Sequence, residues 1–183
     1  AKILSLGHIG LFVEDLPKAR HFYTKVLGFT VTDENLKKGM VFLSARPEEE
    51  HHELLLMRGR TVERGAKLIQ QISFHVENLD ELRAFHELFQ REEIEISSVV
   101  THGVSVSIYF FDPEGNKLEV YFPTQIHCPQ PYSKPMDLDQ KDDAIMNQVR
   151  LLSAQHTISA STNQSMVTEA KVGWRAKRAI RDH

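Results

Sequence analysis

The 183-residue sequence has only one cysteine and one tryptophan, and it has no long run of apolar side chains. The single cysteine, Cys128, excludes an internal disulfide framework and is typical of a reducing compartment. No apolar stretch approaches the roughly twenty residues of a membrane-spanning helix, and the opening AKILSLGHIG is too short and polar for a signal peptide. The net charge of −3 leaves no basic surface for nucleic acid or anionic lipid. We therefore expect a cytoplasmic protein that binds neither nucleic acid nor membrane.

What the sequence does contain is a repeat. Residues 3–13 alternate as a strand does, Asp15 and Pro17 predict a helix start, and Gly28 predicts its end. Three strands follow, at residues 29–32, 39–44 and 53–57. The same order recurs from residue 72, with a turn at residues 112–116 between the last two strands. The repeat predicts an α+β fold in which two β-α-β-β-β modules, residues 3–58 and 67–124 of a domain spanning 1–126, form a metal-binding cleft.

The tail, residues 127–183, has a different character. Prolines at its start disfavour regular structure, and apolar spacing over residues 139–152 predicts one amphipathic helix. Serine, threonine, asparagine and glutamine dominate after that. We therefore expect an extended and helical surface extension that is partly disordered.

Four polar residues occupy matching places in the two modules. His8 and Gln71 lie five residues before the valine that closes each first strand, and Glu53 and Glu119 open the apolar run of each last strand. An imidazole, an amide and two carboxylates suit a divalent cation with room for water or substrate. His75 shares the strand face of Gln71, but it lies roughly 13 Å farther along the strand. The pattern predicts a metal site formed by the first four residues.

Two segments of the first module resemble a known superfamily. Residues 6–13 (LGHIGLFV) and 22–29 (FYTKVLGF) are similar to the usual opening of the vicinal oxygen chelate superfamily. That superfamily includes glyoxalase I, type I extradiol dioxygenases, and fosfomycin and bleomycin resistance proteins. The resemblance covers residues 3–123 and implies a metal-dependent enzyme. It also implies a homodimer, with the modules paired either within a chain or across two chains.

The second module resembles a narrower group. Val100-Thr101-His102, Ile108-Tyr109, Asp112-Pro113-Glu114-Gly115 and Glu119 follow the signature of extradiol ring-cleaving dioxygenases. The closest resemblance is to single-domain proteins related to biphenyl-2,3-diol 1,2-dioxygenase. It implies that Glu119 binds iron(II), with zinc, nickel or manganese as alternative metals, and that His102 and Tyr109 act on the substrate. The paired histidines before the last strand of the first module imply that His52 is the acid–base residue.

One position departs from that group and leaves alternatives open. Extradiol dioxygenases carry histidine where this chain has Gln71, and Gln71 with Glu53 as a fourth ligand is similar to glyoxalase I of some sources. The sequence therefore favours a metal-dependent extradiol-type dioxygenase that cleaves a catechol-like aromatic diol. A glyoxalase-I-like lyase or isomerase is the alternative, and a non-catalytic small-molecule binding protein of the same fold is a third possibility.

Overall fold

The first module starts with the strand and the capped helix that the sequence predicts. The computed structural model describes residues 5–179, with side chains up to residue 161. Strand β1 (Ile9–Val13) leads to helix α1 (Leu16–His21), which continues into one π-helical turn, Phe22–Val26. Asp15 caps α1 by accepting a hydrogen bond from the Lys18 main-chain N–H at 3.0 Å. Gly28 has a φ of 79°, and this left-handed conformation lets the chain leave the helix.

A four-stranded sheet completes this module. Its other strands are β2 (Thr30–Asn35), β3 (Met40–Ser44) and β4 (Leu54–Arg58), and the strand order is β1-β4-β3-β2. Strand β1 runs parallel to β4, whereas β3 is antiparallel to both of its neighbours. Ile9 lies opposite Leu54, and its N–H donates to the Glu53 carbonyl at 3.1 Å. The starts of β1 and β4 are therefore side by side, and His8 and Glu53 lie there.

The second module repeats the order of elements, which confirms the predicted α+β class. It contains β5 (Ile72–His75), α2 (Leu79–Arg91), β6 (Ile96–Thr101), β7 (Ser105–Phe111) and β8 (Lys117–Pro123). Strand β9 (Lys134–Pro135), which the sequence pattern did not predict, joins antiparallel to β6, and the sheet order is β5-β8-β7-β6-β9. The tail thus contributes a strand to the second sheet.

The tail also forms a longer helix than the apolar pattern predicted. Helix α3 runs from Asp142 to Ala179, well beyond residue 152. Ser and Thr hydroxyls within it donate to carbonyls four residues earlier, from Thr157 to Ser153 at 2.8 Å and from Ser159 to Gln155 at 3.0 Å. These side chains therefore satisfy their hydrogen bonds on the helix itself. Between residues 5 and 179 no helix, α3 included, is apolar enough to cross a membrane.

The chain divides into two compact units, and the division cuts through the second module. One unit holds the residues up to 74 together with 84–97 and 109–119, and the other holds 75–83, 98–108 and the residues from 120 on. In the first unit Phe110 packs against Phe89 and Phe22, with ring centroids 4.3 and 6.5 Å apart. In the second unit Ile145 and Val149 of α3 are fully buried. The predicted domain limits at residues 1–126 and 127–183 remain predictions.

Candidate functional site

A cluster of imidazoles forms where β1 and β4 begin. The rings of His8 and His52 lie 4.3 Å apart, and the Nδ1 atoms of His51 and His52 are 2.9 Å apart. Phe42 meets the His52 ring edge to face at 5.2 Å. Burial lowers the pKa of His52, and the charges of His8 and His51 lower it further. His52 is therefore neutral at neutral pH and able to accept a proton.

Glu53 lies beside this cluster, but a cation holds it. Its Oε1 accepts two hydrogen bonds from the Arg46 guanidinium, at 2.8 and 3.1 Å, and its Oε2 accepts from the Ala45 N–H at 2.9 Å. Burial raises the pKa of Glu53, but the hydrogen bonds from Arg46 and Ala45 and the Arg46 charge outweigh burial and lower it overall. Both carboxylate oxygens are thus engaged by neighbours from its own module.

The second module carries a different cluster, built on adjacent strands β5 and β8. Glu119 is only 6% exposed, and its Oε2 accepts from Gln71 Nε2 at 3.0 Å and from Ser73 Oγ at 2.5 Å. Within the described side chains, no lysine, arginine or histidine forms a salt bridge with Glu119. A buried carboxylate held by neutral donors is the arrangement that a cation would complete.

Tyr109 of β7 joins the same cluster. Burial raises the pKa of its hydroxyl to about 12, helped by a hydrogen bond to Glu119 and by the charge of that carboxylate. The ammonium of Lys117 lies 4.4 Å from the centre of the Tyr109 ring. Tyr109 therefore keeps its proton across the physiological range and can act as a hydrogen-bond donor.

His102 lies in the turn between β6 and β7. Its main-chain N–H donates to the Ser105 carbonyl at 3.0 Å. Its ring Nδ1 is 2.6 Å from the carbonyl oxygen of Tyr132, a residue of the tail. The tail was not expected to contact a predicted site residue, and no local sequence signal pointed to this contact.

The Asp112–Gly115 turn of the signature has a structural role as well. The Tyr23 hydroxyl donates to Asp112 at 2.9 Å, and both groups are buried. Glu114 accepts from the main-chain N–H groups of Glu14 and Asp15 at 3.1 and 3.2 Å, and it lies 3.7 Å from Arg60. The turn thus fastens the start of α1. The sequence indicated a turn here but not this tie to α1.

The four predicted metal ligands are not gathered into one set. Gln71 and Glu119 are in contact, His8 stacks on His52, and Glu53 pairs with Arg46. Among the described residues, no group of three or more His, Cys, Asp or Glu side chains could hold a metal ion. Gln71 and Glu119 have the donor chemistry of part of a metal site, and the full ligand set remains a prediction. Ser73, which the sequence analysis overlooked, follows from alternation, because it shares a strand face with Gln71.

Comparison with known proteins adds the family context. The family model described as the Glyoxalase/Bleomycin resistance protein/Dioxygenase superfamily matches residues 5–120. Biphenyl-2,3-diol 1,2-dioxygenase 3 of Rhodococcus globerulus is 32% identical over 120 residues, which cover 63% of this chain and 61% of that protein. The chain therefore matches about three-fifths of the length of this curated relative.

Two solved structures share the fold. The fosfomycin resistance protein FosX of Listeria monocytogenes superposes with a TM-score of 0.55 at 23% identity, over 68% of this chain and 97% of its own. Lactoylglutathione lyase of Agrobacterium tumefaciens superposes with a TM-score of 0.52 at 21% identity, over 67% and 96%. At these identities the likeness concerns the fold alone.

Proposed function

We propose, since the chain belongs to the glyoxalase/bleomycin resistance protein/dioxygenase superfamily, that it is a metal-dependent extradiol-type dioxygenase cleaving a catechol-like aromatic diol. The observation that carries the proposal is the hydrogen-bonded cluster of Tyr109, Glu119 and Gln71. Two residues of the extradiol signature meet there, around a buried carboxylate that no cation pairs within the described residues. The 32% identity to a biphenyl-2,3-diol dioxygenase supports this choice of reaction.

A divalent metal, iron(II) by preference and zinc, nickel or manganese as alternatives, would be held by Glu119, Gln71 and His8. Such an ion would supply the positive charge that lowers the pKa values of the diol hydroxyls. Glu53 would have to leave Arg46 to become a fourth ligand. The proposal therefore treats Glu53 as the weakest of the four.

Tyr109 would stabilise negative charge on the substrate. Its raised pKa keeps the hydroxyl protonated, so it can donate a hydrogen bond to an oxygen that gains charge during the reaction. Lys117, which lies over the ring, adds positive potential on the same side chain.

His52 and His102 would move protons. His52 is neutral at neutral pH and lies beside His8, so it can take a proton from a diol hydroxyl. His102 has a ring held by the tail, and its match to the extradiol signature supports a role for it in proton transfer. In the proposed mechanism, His52 and His102 therefore transfer protons and Tyr109 donates a hydrogen bond.

Oxygen uptake tests the proposal directly. Protein loaded anaerobically with iron(II) should consume one equivalent of dioxygen for each equivalent of biphenyl-2,3-diol or catechol. Tyr109→Phe should retain its metal and lose turnover by about 10²-fold, as expected for a lost oxyanion donor. Tyr121→Phe, a phenol on β8 that stacks on His75 at 6.1 Å, is the matched control and should stay near the parent rate. Iron-loaded protein that consumes no oxygen with any diol would overturn the assignment.

A second candidate has its own supporting observation. Gln71 is an amide rather than an imidazole, and it donates directly to Glu119. An amide oxygen and a carboxylate that can move a proton suit a glyoxalase-type lyase or isomerase better than oxygen chemistry. Formation of lactoylglutathione by zinc- or nickel-loaded protein without oxygen would favour this candidate. Tight binding of a diol with no turnover under either condition would favour the non-catalytic binding protein.

The proposal extends to partners and location. We expect a homodimer in the cytoplasm that takes a small-molecule substrate and binds neither nucleic acid nor membrane. Light scattering on the purified chain should give about twice the 21.0 kDa mass of one copy. A monomer that still binds one metal ion per chain would remove the dimer from the proposal.

A further inference from the structure

The turn that carries His102 is fixed by the residue that follows β8 and by the start of the tail. Thr124 donates from its hydroxyl to the Gly103 carbonyl at 2.5 Å and from its N–H to the Val104 carbonyl at 3.0 Å. Gly103 has a φ of 77°, and a Cβ built there would lie 2.3 Å from the Cβ of Cys128. The main chain beside His102 therefore has one conformation that the tail encloses, and a side chain at Gly103 is excluded.

The ring of His102 is oriented by a main-chain carbonyl. Its Nδ1 lies 2.6 Å from the Tyr132 oxygen, and a carbonyl oxygen can only accept a hydrogen bond. Nδ1 must then carry the hydrogen. In the neutral ring the other nitrogen, Nε2, holds the lone pair, because each neutral imidazole has one donor and one acceptor nitrogen.

Gln130 forms hydrogen bonds with both His102 and Tyr132. Its Nε2 donates to the His102 carbonyl at 2.7 Å and to the Cys128 carbonyl at 3.2 Å, while its Oε1 accepts from the Tyr132 N–H at 3.1 Å. One amide thus holds both the main chain of the histidine and the peptide that receives its ring.

Helix α3 packs against the side chain of Tyr132. The Tyr132 ring stacks on His156 with centroids 4.5 Å apart, and its side chain is buried. Ser153, one turn before His156, is 2% exposed. Because the ring is held in place, the carbonyl that accepts from His102 has little freedom to turn away.

We propose that Gln130 is a positioning residue for His102, which holds the Tyr132 carbonyl against Nδ1 so that the neutral ring carries its hydrogen on Nδ1. The catalytic consequence rests on the proposed function, in which His102 transfers a proton. The tautomer does not rest on it, because it follows from the contact of Nδ1 with the Tyr132 carbonyl.

Nuclear magnetic resonance of protein labelled with nitrogen-15 histidine tests the tautomer in the full chain. The His102 signals are assigned as those lost in His102→Gln. In the parent protein, with the ring neutral, they should show Nδ1 protonated and Nε2 unprotonated. In Gln130→Met, which keeps the side-chain length and removes both hydrogen-bonding groups, the two tautomers should mix. Gln90→Met, at an exposed position on α2, is the matched control and should leave the signals unchanged.

Kinetics supply the second readout. Gln130→Met should lower kcat by about tenfold, the usual size for a lost partner of a site residue, with KM within about twofold of the parent. A parent His102 with the hydrogen on Nε2 would overturn the positioning role whatever the activity. Unchanged tautomer signals in Gln130→Met would overturn the positioning role of Gln130. Failure of the proposed function is distinct, because the parent protein would then show the predicted tautomer without any turnover of diols.

Discussion

Glu53 and Glu119 occupy matching places in the two modules, yet their surroundings differ. Glu53 faces an arginine that takes one oxygen through two hydrogen bonds, and its side chain is 26% exposed. Glu119 is 6% exposed and is held by the neutral donors of Gln71, Ser73 and Tyr109. Position in a repeat therefore does not determine chemistry. The carboxylate that lacks a cationic partner in the described part of the chain is the one on which the proposed metal site depends.

Replacing each carboxylate in turn should give the largest difference in iron(II) affinity between the two modules. Glu119→Gln should lower iron(II) affinity by about 10²-fold, because it removes the buried charge that a cation would neutralise. Glu53→Gln should leave the affinity within about threefold of the parent, because Arg46 already neutralises that carboxylate. Metal titration with a competing chelator measures both. Equal losses in the two variants would show that the modules contribute equally and that Arg46 yields to the metal.

Another buried carboxylate, that of Asp112, tests whether burial alone explains the difference. Asp112 accepts from the Tyr23 hydroxyl, and removing this donor in Tyr23→Phe should cost about 1–3 kcal/mol of unfolding free energy without loss of metal.

Burial and the charge of Asp112 raise the pKa of Tyr23 well above its ordinary value. A raised folded-state pKa gives a contribution to stability that is present below the ordinary tyrosine pKa and lost as pH rises above it. Denaturant titrations should therefore show an alkaline loss in the parent that is smaller in Tyr23→Phe.

If Tyr23→Phe also lost its metal, Asp112 would belong to the metal site and the contrast between Glu53 and Glu119 would be incomplete. Thr24→Ala, at the next position in the same helical turn, is the control. Its hydroxyl bonds only to carbonyls of its own helix, so both its metal affinity and its alkaline stability should match the parent.

Replacing the amide of Gln71 with an imidazole should further increase the difference in metal binding between the two modules. Gln71→His places in the second module the residue type that His8 supplies in the first, and imidazole suits iron(II) better than an amide does. We expect iron(II) affinity to rise by about tenfold and oxygen uptake with diols to increase. Gln70→His, one residue earlier and exposed, should change neither. A fall in both quantities for Gln71→His would favour the glyoxalase-type candidate.

The smallest expected effect comes from removing the ion pair between Arg46 and Glu53. Arg46→Gln removes the cation that lowers the Glu53 pKa, and we expect Tm at neutral pH to fall by about 2 °C or less, as for other exposed ion pairs. A lowered folded-state pKa stabilises the protein above the ordinary glutamate pKa, and this contribution is lost as pH falls. The parent should therefore lose more stability than Arg46→Gln on acidification. An identical acid response in both proteins would remove the ion pair from this account.

The fold follows from the sequence where its signals are local. Alternation placed β1 and β5, Asp15 marked the start of α1, and Gly28 marked the end of the helical segment that α1 begins. The π-helical turn that ends this helical segment has no such marker, because helical spacing is similar for both forms. The length of α3 was underestimated, because serine and threonine suggest a loop unless their hydroxyls bond back to the helix.

The candidate site was predictable only in part, for a related reason. The repeat pointed to Gln71 and Glu119, which do lie together. The surroundings of the predicted residues depend on their hydrogen-bond and ion-pair partners. Those partners lie in other segments of the chain. Arg46 reaches Glu53 from the preceding loop, and Gln130 reaches His102 from 28 residues away. Neither contact leaves a periodic trace in the sequence.

The tie between Glu114 and the start of α1 also bears on how the chain folds. The main-chain donors at Glu14 and Asp15 receive their acceptor from a residue 100 and 99 positions later. During synthesis, the first module therefore exists for some time with the start of its helix unsatisfied. Contacts of such long sequence separation slow folding and bring the segments that they join into one cooperative transition. We expect residues 1–58 expressed alone to be markedly less stable than the same residues in the full chain, because their helix start depends on a partner that has not yet been made.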